Sequence, residues 1–167
     1  MDLFGKLKKK EETKIYGDNE VTAIANAKMI PASAINDPAF SKEMLGQTIG
    51  FELKDGLIVS PANGTLEVMF PTGHAFGVRM HDDTALLVHI GIDTVEMDGE
   101  GFQVFAKQGD KVRAGQKLVK VDLDKIKKAG FDSTTMLIVT EVSNSNGKID
   151  FIDFGDVECG EIINKSL

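Results

Sequence analysis

Two of the three histidines lie where an imidazole can act as a nucleophile or a metal ligand. His89 is the one polar residue in an apolar run, residues 85–90, that has the composition of a buried strand. The run breaks at Gly91 and passes through Asp93-Thr94, which is typical of a loop. A histidine at such a strand end can expose one ring nitrogen while the backbone holds the other. For an isolated case, a core histidine with both nitrogens hydrogen-bonded is the favoured interpretation.

A second histidine favours a functional role for His89 over that of a core histidine. His74 lies upstream in a turn-like segment, FPTGHAFGV. His81 differs from both, because it lies beside Asp82 and Asp83 in a polar hairpin turn where a solvated histidine is expected. The single cysteine, Cys159, has no basic neighbour to lower its pKa, so an inert thiol is expected and an internal disulfide framework is excluded.

The elements that position these side chains are predicted to be the strands of an all-β, antiparallel fold. Short strand-like runs recur between turn signals, and two of the turns hold the hairpin dipeptides Asp55-Gly56 and Asn63-Gly64. Regular spacing of this kind favours a sandwich or a partly closed barrel. Two short helical segments are also predicted, one starting at Asp37-Pro38 and one over residues 122–130. The predicted strands are residues 21–27, 48–53, 57–60, 65–70, 75–80, 85–90, 136–142, 148–151 and 158–163.

Composition limits the functional classes. A chain of 167 residues can bury a sizeable core, and its net charge of −7 argues against nucleic acid as a partner. No apolar run reaches the length of a membrane span and no signal peptide is visible, so a soluble, cytoplasmic protein is expected. Residues 1–19 are predicted to be a flexible charged leader, with membrane contact as its alternative role, and residues 20–167 a single domain.

Several motifs together resemble a known family. SPANGTL and GDKVRAGQKLVKVD resemble pieces of the biotinyl and lipoyl carrier sandwiches, but neither has the modified lysine in its expected setting. FPTGHAFGV followed by LLVHIGIDTVEMDGEGF resembles the glucose-type IIA component of the bacterial phosphoenolpyruvate-dependent sugar phosphotransferase system. SPANGTL, GDKVRAGQKL and TTMLIVT fall in family order around these two segments, so the resemblance covers residues 24–163.

The resemblance implies both a fold and an activity. The fold is an antiparallel β-sandwich, a barrel-sandwich hybrid with a duplicated hybrid motif and one or two short helices. The activity is that of a phosphotransferase component that accepts phosphate on a histidine from the histidine-containing phosphocarrier protein. The phosphate then passes to the cysteine of a IIB domain during sugar uptake. Imidazole suits such a relay, since a pKa of about 6.5 leaves the neutral nucleophile dominant at cellular pH.

The resemblance also assigns residue roles. His89 matches the phosphorylated histidine, with Nε2 attacking and Nδ1–H held by a backbone carbonyl, expected to be that of Gly91. His74 matches the second active-site histidine, which would donate a hydrogen bond to the phosphoryl oxygens. Thr72 matches the threonine that orients the second ring, although its setting alone favours a plain turn residue. Asp93 can tune the local charge or cap the turn.

The family surrounds its histidines with an apolar ring that excludes water and docks both partners. Acidic residues at the rim, Asp93 among them, would complement a basic partner face. Some members of the ring are expected to belong to the core instead. The matching residues are Phe40, Met44, Leu45, Phe70, Phe76 and Leu87.

Two other classes of function stay open. Two histidines on a β-sandwich can bind zinc, as in the lysostaphin-type metallopeptidases, but here the third ligand position of that motif is Gly91. No cofactor is therefore required, although His74 and His89 remain possible zinc ligands together with a partner's glutamate. The third class is a purely regulatory protein that docks onto permeases or kinases.

Overall fold

The computed structural model describes residues 14–165, and the N-terminal part of the predicted leader, residues 1–13, lies outside them. Two antiparallel sheets account for most of the regular structure, and the all-β expectation is thereby confirmed. The strands are β1 (Ala27–Pro31), β2 (Gln47–Leu53), β3 (Leu57–Val59), β4 (Gly64–Met69), β5 (Ala75–Arg79), β6 (Ala85–Ile92), β7 (Phe102–Val104), β8 (Lys111–Val112), β9 (Lys117–Val121), β10 (Asp132–Glu141) and β11 (Gly155–Val157). The strand orders in the two sheets are β11-β1-β2-β10-β6-β5-β4-β8 and β3-β9-β7.

The two predicted helices are present and short. Helix α1 (Pro38–Ser41) begins where the Asp37 side chain accepts a hydrogen bond from the amide of Ala39, at 2.9 Å. Helix α2 (Leu123–Lys128) is capped in the same way by Asp122. Short 3-10 turns occupy Ala32–Ala34 and Thr94–Met97. In the described part of the chain, neither helix has the length and apolar character that crossing a bilayer requires.

Strand β6 is central because both of its faces are covered. Leu86, Val88 and Ile90 enter the main core between the sheets. On the opposite face, Leu87 packs against a smaller cluster that includes Phe40 from α1. This double burial explains why consecutive residues of the strand, 85–88, are all apolar. The smaller cluster consists of Ile30, Ile35, Phe40, Ile92, Met136 and Ile138.

Three of the predicted strands are wrong. Residues 21–25 are buried but form only a single bridge, Thr22 to Ile162, because their backbone groups bond to several different segments instead of one neighbouring strand. Residues 148–151 and 158–163 likewise form only single bridges, whereas the closing strand is β11 (Gly155–Val157). Strands β1, β7, β8 and β9 were not predicted. At two to five residues each, they are too short to show a clear alternation of apolar and polar residues.

The C-terminal part of the predicted leader contacts the domain. The hydroxyl of Tyr16 donates a hydrogen bond to the carbonyl of Gly160 at 2.6 Å. The side-chain amide of Asn63 donates to the Tyr16 carbonyl at 2.9 Å and to the Asp18 carboxylate at 3.2 Å. Residues 16–18 are therefore hydrogen-bonded to two separate parts of the domain, at Asn63 and at Gly160.

Candidate histidine-pair site

His89 is held by the backbone that follows it. It is half-buried near the end of β6, and its Nδ1 lies 2.8 Å from the carbonyl oxygen of Gly91. A carbonyl can only accept, so Nδ1 carries the ring hydrogen and donates it. In the neutral ring the lone pair is then on Nε2, the atom that can act as a nucleophile. The expected hydrogen bond to Gly91 is confirmed.

Gly91 can offer this carbonyl because it has no side chain. Its φ is +78°, a left-handed conformation that glycine adopts without strain. A Cβ at this position would lie 2.3 Å from Cγ2 of Thr94 and 3.1 Å from the carbonyl oxygen of Asp132. The turn after His89 therefore requires glycine.

His74 lies directly before β5, the strand that pairs with β6. Its side chain is only 6% exposed, and its Nδ1 lies 2.5 Å from the hydroxyl of Thr72. Gly73, with φ +76°, allows the tight turn in which its amide donates to the carbonyl of Phe70 at 2.8 Å. A hydroxyl that donates to Nδ1 leaves the proton of the neutral ring on Nε2. The outer nitrogen of His74 is then a donor, whereas that of His89 is an acceptor.

Antiparallel pairing brings the two imidazoles together. Ala75 on β5 lies opposite His89 on β6, and the amide of Ile90 donates to the carbonyl of His74 at 2.7 Å. The ring centroids of His74 and His89 are 5.4 Å apart, with an interplanar angle of 77°. A donor nitrogen and a nucleophilic nitrogen thus share one small region of the surface.

Both rings are kept neutral by their surroundings. Burial lowers the pKa of His74, and the neighbouring His89 lowers it further. Burial also lowers the pKa of His89, although the bond to Gly91 and the charges of Asp37 and Asp93 act in the opposite direction. At neutral pH the pair therefore presents an unprotonated nucleophile beside carboxylates that favour positive charge on its ring.

Two members of the predicted apolar ring contact the histidines. Phe40 packs against His89 with centroids 5.2 Å apart, and Phe70 against His74 at 5.1 Å. Helix α1 is followed by two strongly exposed apolar side chains, Met44 at 70% and Leu45 at 52%. Leu87 is partly buried on the same face of β6 as His89.

The prediction that Phe76 belongs to the apolar ring is wrong. Its side chain is fully buried in the main core, so it cannot contact a partner. The reason is the alternation of side chains along β5: Ala75 shares the face of His89, so the next residue must point to the other face. The small side chains of Ala75 and Gly77 leave the site's face of β5 shallow.

The sequence analysis missed part of the apolar surface. Val95, Val104 and Phe105 are exposed. Val104 belongs to the site's surroundings, because its Cγ2 lies 2.8 Å from where a Cβ of Gly73 would be. No signal in the sequence marks Val104, since β7 is only three residues long.

The remaining polar candidates, Asp93, His81 and Cys159, differ in their exposure and in their effect on the site. Asp93 is exposed, adopts φ +61° and makes no capping hydrogen bond to the following turn, so its effect on the site is through its charge. His81 is exposed in the turn between β5 and β6, as predicted. Cys159 is half-buried, and burial together with the Asp55 charge raises the pKa of its thiol, which fits an inert group. Within residues 14–165, no three His, Cys, Asp or Glu side chains converge as metal ligands would.

The fold and the histidine pair together define a class, an antiparallel β-sandwich with two neighbouring imidazoles that are each packed against a phenylalanine ring. Comparison with known proteins identifies that class. The family model described as phosphoenolpyruvate-dependent sugar phosphotransferase system, EIIA 1, matches residues 19–145. The chain belongs to this family and is therefore a phosphotransferase-system protein.

Individual relatives agree with the family assignment. The glucose-specific EIICBA component of the phosphotransferase system from Staphylococcus saprophyticus is 38% identical over 147 residues, which are 88% of this chain and 21% of that protein. The glucose-specific EIICBA component from Streptococcus pneumoniae is 40% identical over 121 residues, 72% of this chain and 17% of that protein. This chain thus matches a minor part of each relative's length.

A solved structure has the same fold over most of the length of both chains. Glucose permease IIA from Mycoplasma capricolum superposes with a TM-score of 0.81 at 33% sequence identity. The match covers 87% of this chain and 93% of that one. The predicted β-sandwich is confirmed by this likeness.

Proposed function

We propose that the chain is a phosphoryl relay in which Nε2 of His89 accepts phosphate from the histidine-containing phosphocarrier protein and passes it to the cysteine of a IIB domain. The observation that carries this proposal is the pair of outer nitrogens, a nucleophile on His89 and a donor on His74, with ring centroids 5.4 Å apart. The proposed exchange takes place in the cytoplasm and requires no cofactor.

The acceptance step follows from the state of the His89 ring. The Nε2 lone pair forms a bond to phosphorus while the bond from phosphorus to the carrier's ring nitrogen breaks, and that electron pair returns to the carrier. Positive charge develops on the His89 ring during this attack. The Gly91 carbonyl and the carboxylates of Asp37 and Asp93, which raise the pKa of this ring, would stabilise that charge. In the onward step the cysteine sulfur of the IIB domain attacks phosphorus and the electron pair returns to Nε2.

His74 would stabilise the phosphoryl oxygens. The phosphoryl group in flight spreads its negative charge over three oxygens, so a positioned hydrogen-bond donor lowers the barrier. Thr72 positions this donor, because its hydroxyl contacts Nδ1 and leaves Nε2 to carry the hydrogen. The low exposure of His74 limits competition from water for the same hydrogen bond.

The apolar surroundings would serve as the docking surface for both partners. Phe70 packs against His74 and is still exposed, and Met44 and Leu45 are exposed directly after α1, whose Phe40 packs against His89, so these side chains can bury area against another protein. The carboxylates of Asp37 and Asp93, whose charges act on the His89 ring, suit a partner with a basic face. Since the matched relatives are named glucose-specific EIICBA components, a IIB domain of a glucose permease is the partner to test first.

Zinc would require a ligand from outside the chain. His74 and His89 offer two nitrogens, whereas a zinc site normally has three or four protein ligands. The described residues therefore do not form a metallopeptidase centre by themselves. A zinc ion shared with a partner carboxylate would compete with phosphorylation for the same Nε2.

The test is phosphorylation in a defined mixture of phosphoenolpyruvate, the first enzyme of the system and the phosphocarrier protein. Intact mass spectrometry should show a gain of one phosphoryl group, which is lost in acid. His89→Ala should remain folded and gain none, because the nucleophile is gone. His81→Ala is the matched control, since it removes an exposed histidine from the turn between the same two strands. Normal labelling of His89→Ala would contradict the assignment.

A further inference from the structure

We propose that Thr94 is a positioning residue that sets the tautomer of His89 by holding the turn between residues 90 and 94. This inference rests on the proposed relay, because it concerns the same nucleophile. The side chain of Thr94 is fully buried, directly after a stretch of chain that turns twice through left-handed conformations, at Gly91 and Asp93. Unlike the hydroxyl of Thr72, which bonds to a histidine ring, the hydroxyl of Thr94 bonds to the backbone.

Two contacts link Thr94 to that turn. Its hydroxyl donates a hydrogen bond to the carbonyl of Ile90. Its methyl group, Cγ2, lies where a side chain of Gly91 would otherwise be, 2.3 Å from the position of a Cβ. The hydroxyl thus fixes the Ile90 carbonyl, while the methyl group fills the space beside Gly91.

The same unit connects the two histidines. The amide of Ile90 donates to the carbonyl of His74 at 2.7 Å, and the carbonyl of Gly91 accepts from Nδ1 of His89 at 2.8 Å. The Ile90 carbonyl, between these two groups, is the one that Thr94 binds. A rotation of the peptide after Ile90 would therefore move the Gly91 carbonyl away from Nδ1. Without that acceptor the ring hydrogen can occupy Nε2, where it blocks the attack.

The experiment compares two substitutions of one residue. Thr94→Val keeps the branched shape and removes the donor, whereas Thr94→Ser keeps the donor and removes the methyl group. With one hydrogen bond lost, phosphoryl acceptance by Thr94→Val should fall about tenfold. Its ¹⁵N NMR spectrum should show a larger fraction of His89 with hydrogen on Nε2. Thr94→Ser should accept phosphate at close to the parent rate with the parent tautomer.

A matched control separates positioning from general destabilisation. Thr22 is also fully buried, and its hydroxyl donates to the carbonyls of Ser60 and Pro61, away from β5 and β6. Thr22→Val should lower the urea midpoint like Thr94→Val and leave both acceptance and the His89 tautomer unchanged.

Three results would overturn the inference: parent-like acceptance and tautomer in Thr94→Val, loss of acceptance in Thr94→Ser, or an equal loss in Thr22→Val. The serine variant decides the matter if the valine variant does not fold. If the parent chain itself accepts no phosphate from the carrier, the proposed relay fails. The NMR comparison of tautomers still tests Thr94 in that case, because it needs no phosphate donor.

Discussion

Replacing Gly91 by alanine tests whether the site depends on a left-handed turn that only glycine adopts without strain. Alanine at a φ of +78° costs about 1–2 kcal/mol, because the left-handed conformation places Cβ close to the following carbonyl. The new Cβ would also lie 2.3 Å from Cγ2 of buried Thr94, and relieving that overlap costs about 1–3 kcal/mol more. Gly91→Ala should therefore lower the free energy of unfolding by about 2–5 kcal/mol.

The movement that relieves the overlap should also affect catalysis. Any displacement of the Gly91 carbonyl lengthens its 2.8 Å contact with Nδ1 of His89, so the rate of phosphoryl acceptance should fall as well. Urea denaturation measures the first effect, and the initial rate of labelling by the phosphocarrier protein measures the second.

Gly130 provides the control for this prediction. Its φ is +84°, close to that of Gly91, but nothing lies within 4 Å of a Cβ built there. Gly130→Ala should cost only the backbone part, about 1–2 kcal/mol, with acceptance unchanged. Equal destabilisation by the two substitutions, together with normal acceptance in Gly91→Ala, would refute the reasoning.

The remaining predictions concern the imidazoles and the core. His74→Gln should still be labelled but should discharge slowly to a IIB domain, measured by sugar-dependent loss of phosphate; undiminished discharge would remove the stabilising role. Because burial lowers the pKa of both His74 and His89, the unfolded chain takes up protons first, so the urea midpoint should fall as the pH drops below about 6.5. Acceptance should stay constant from pH 8 down to about 6.5, since His89 is still neutral there. A midpoint that rises on acidification would contradict the lowered pKa values. Phe76→Ala should destabilise by about 3–5 kcal/mol in urea titrations, whereas exposed Phe70→Ala should mainly weaken partner binding; the reverse pattern would contradict their burial.

Residue type and short-range spacing predicted part of the local geometry of the site, whereas the phosphoryl chemistry was expected from the family resemblance. The segment from His89 through Gly91 predicted a strand end with a backbone carbonyl near the ring, and the structure has that bond. This worked because the geometry is local: two residues separate the donor from the acceptor. The Asp37 cap of α1 is local in the same way. The contact between Thr72 and His74 is local too, but it was expected only from the family resemblance, since the setting of Thr72 alone favours a plain turn residue.

Features that depend on contacts distant in sequence were not predictable in this way. Phe70 and Phe76 flank the same turn and have the same side chain, yet one is 40% exposed and the other fully buried. Whether Phe76 faces the core depends on the register of β5 against β6, with Ala75 opposite His89. A shift of one residue would exchange the two faces of the strand, and the local pattern AFGV does not exclude such a shift.

The sequence by itself determined an all-β fold, the two candidate histidines, and the hydrogen bond from His89 to the backbone of its own turn. Only the tertiary structure decided that the imidazoles converge, that both have lowered pKa values, and that Val104 lies beside Gly73 while Phe76 is buried in the core. The physical reason is that hydrogen bonds between near neighbours in the chain follow from local backbone geometry. Burial, ring separation and electrostatic environment depend instead on which strands pair and in what register.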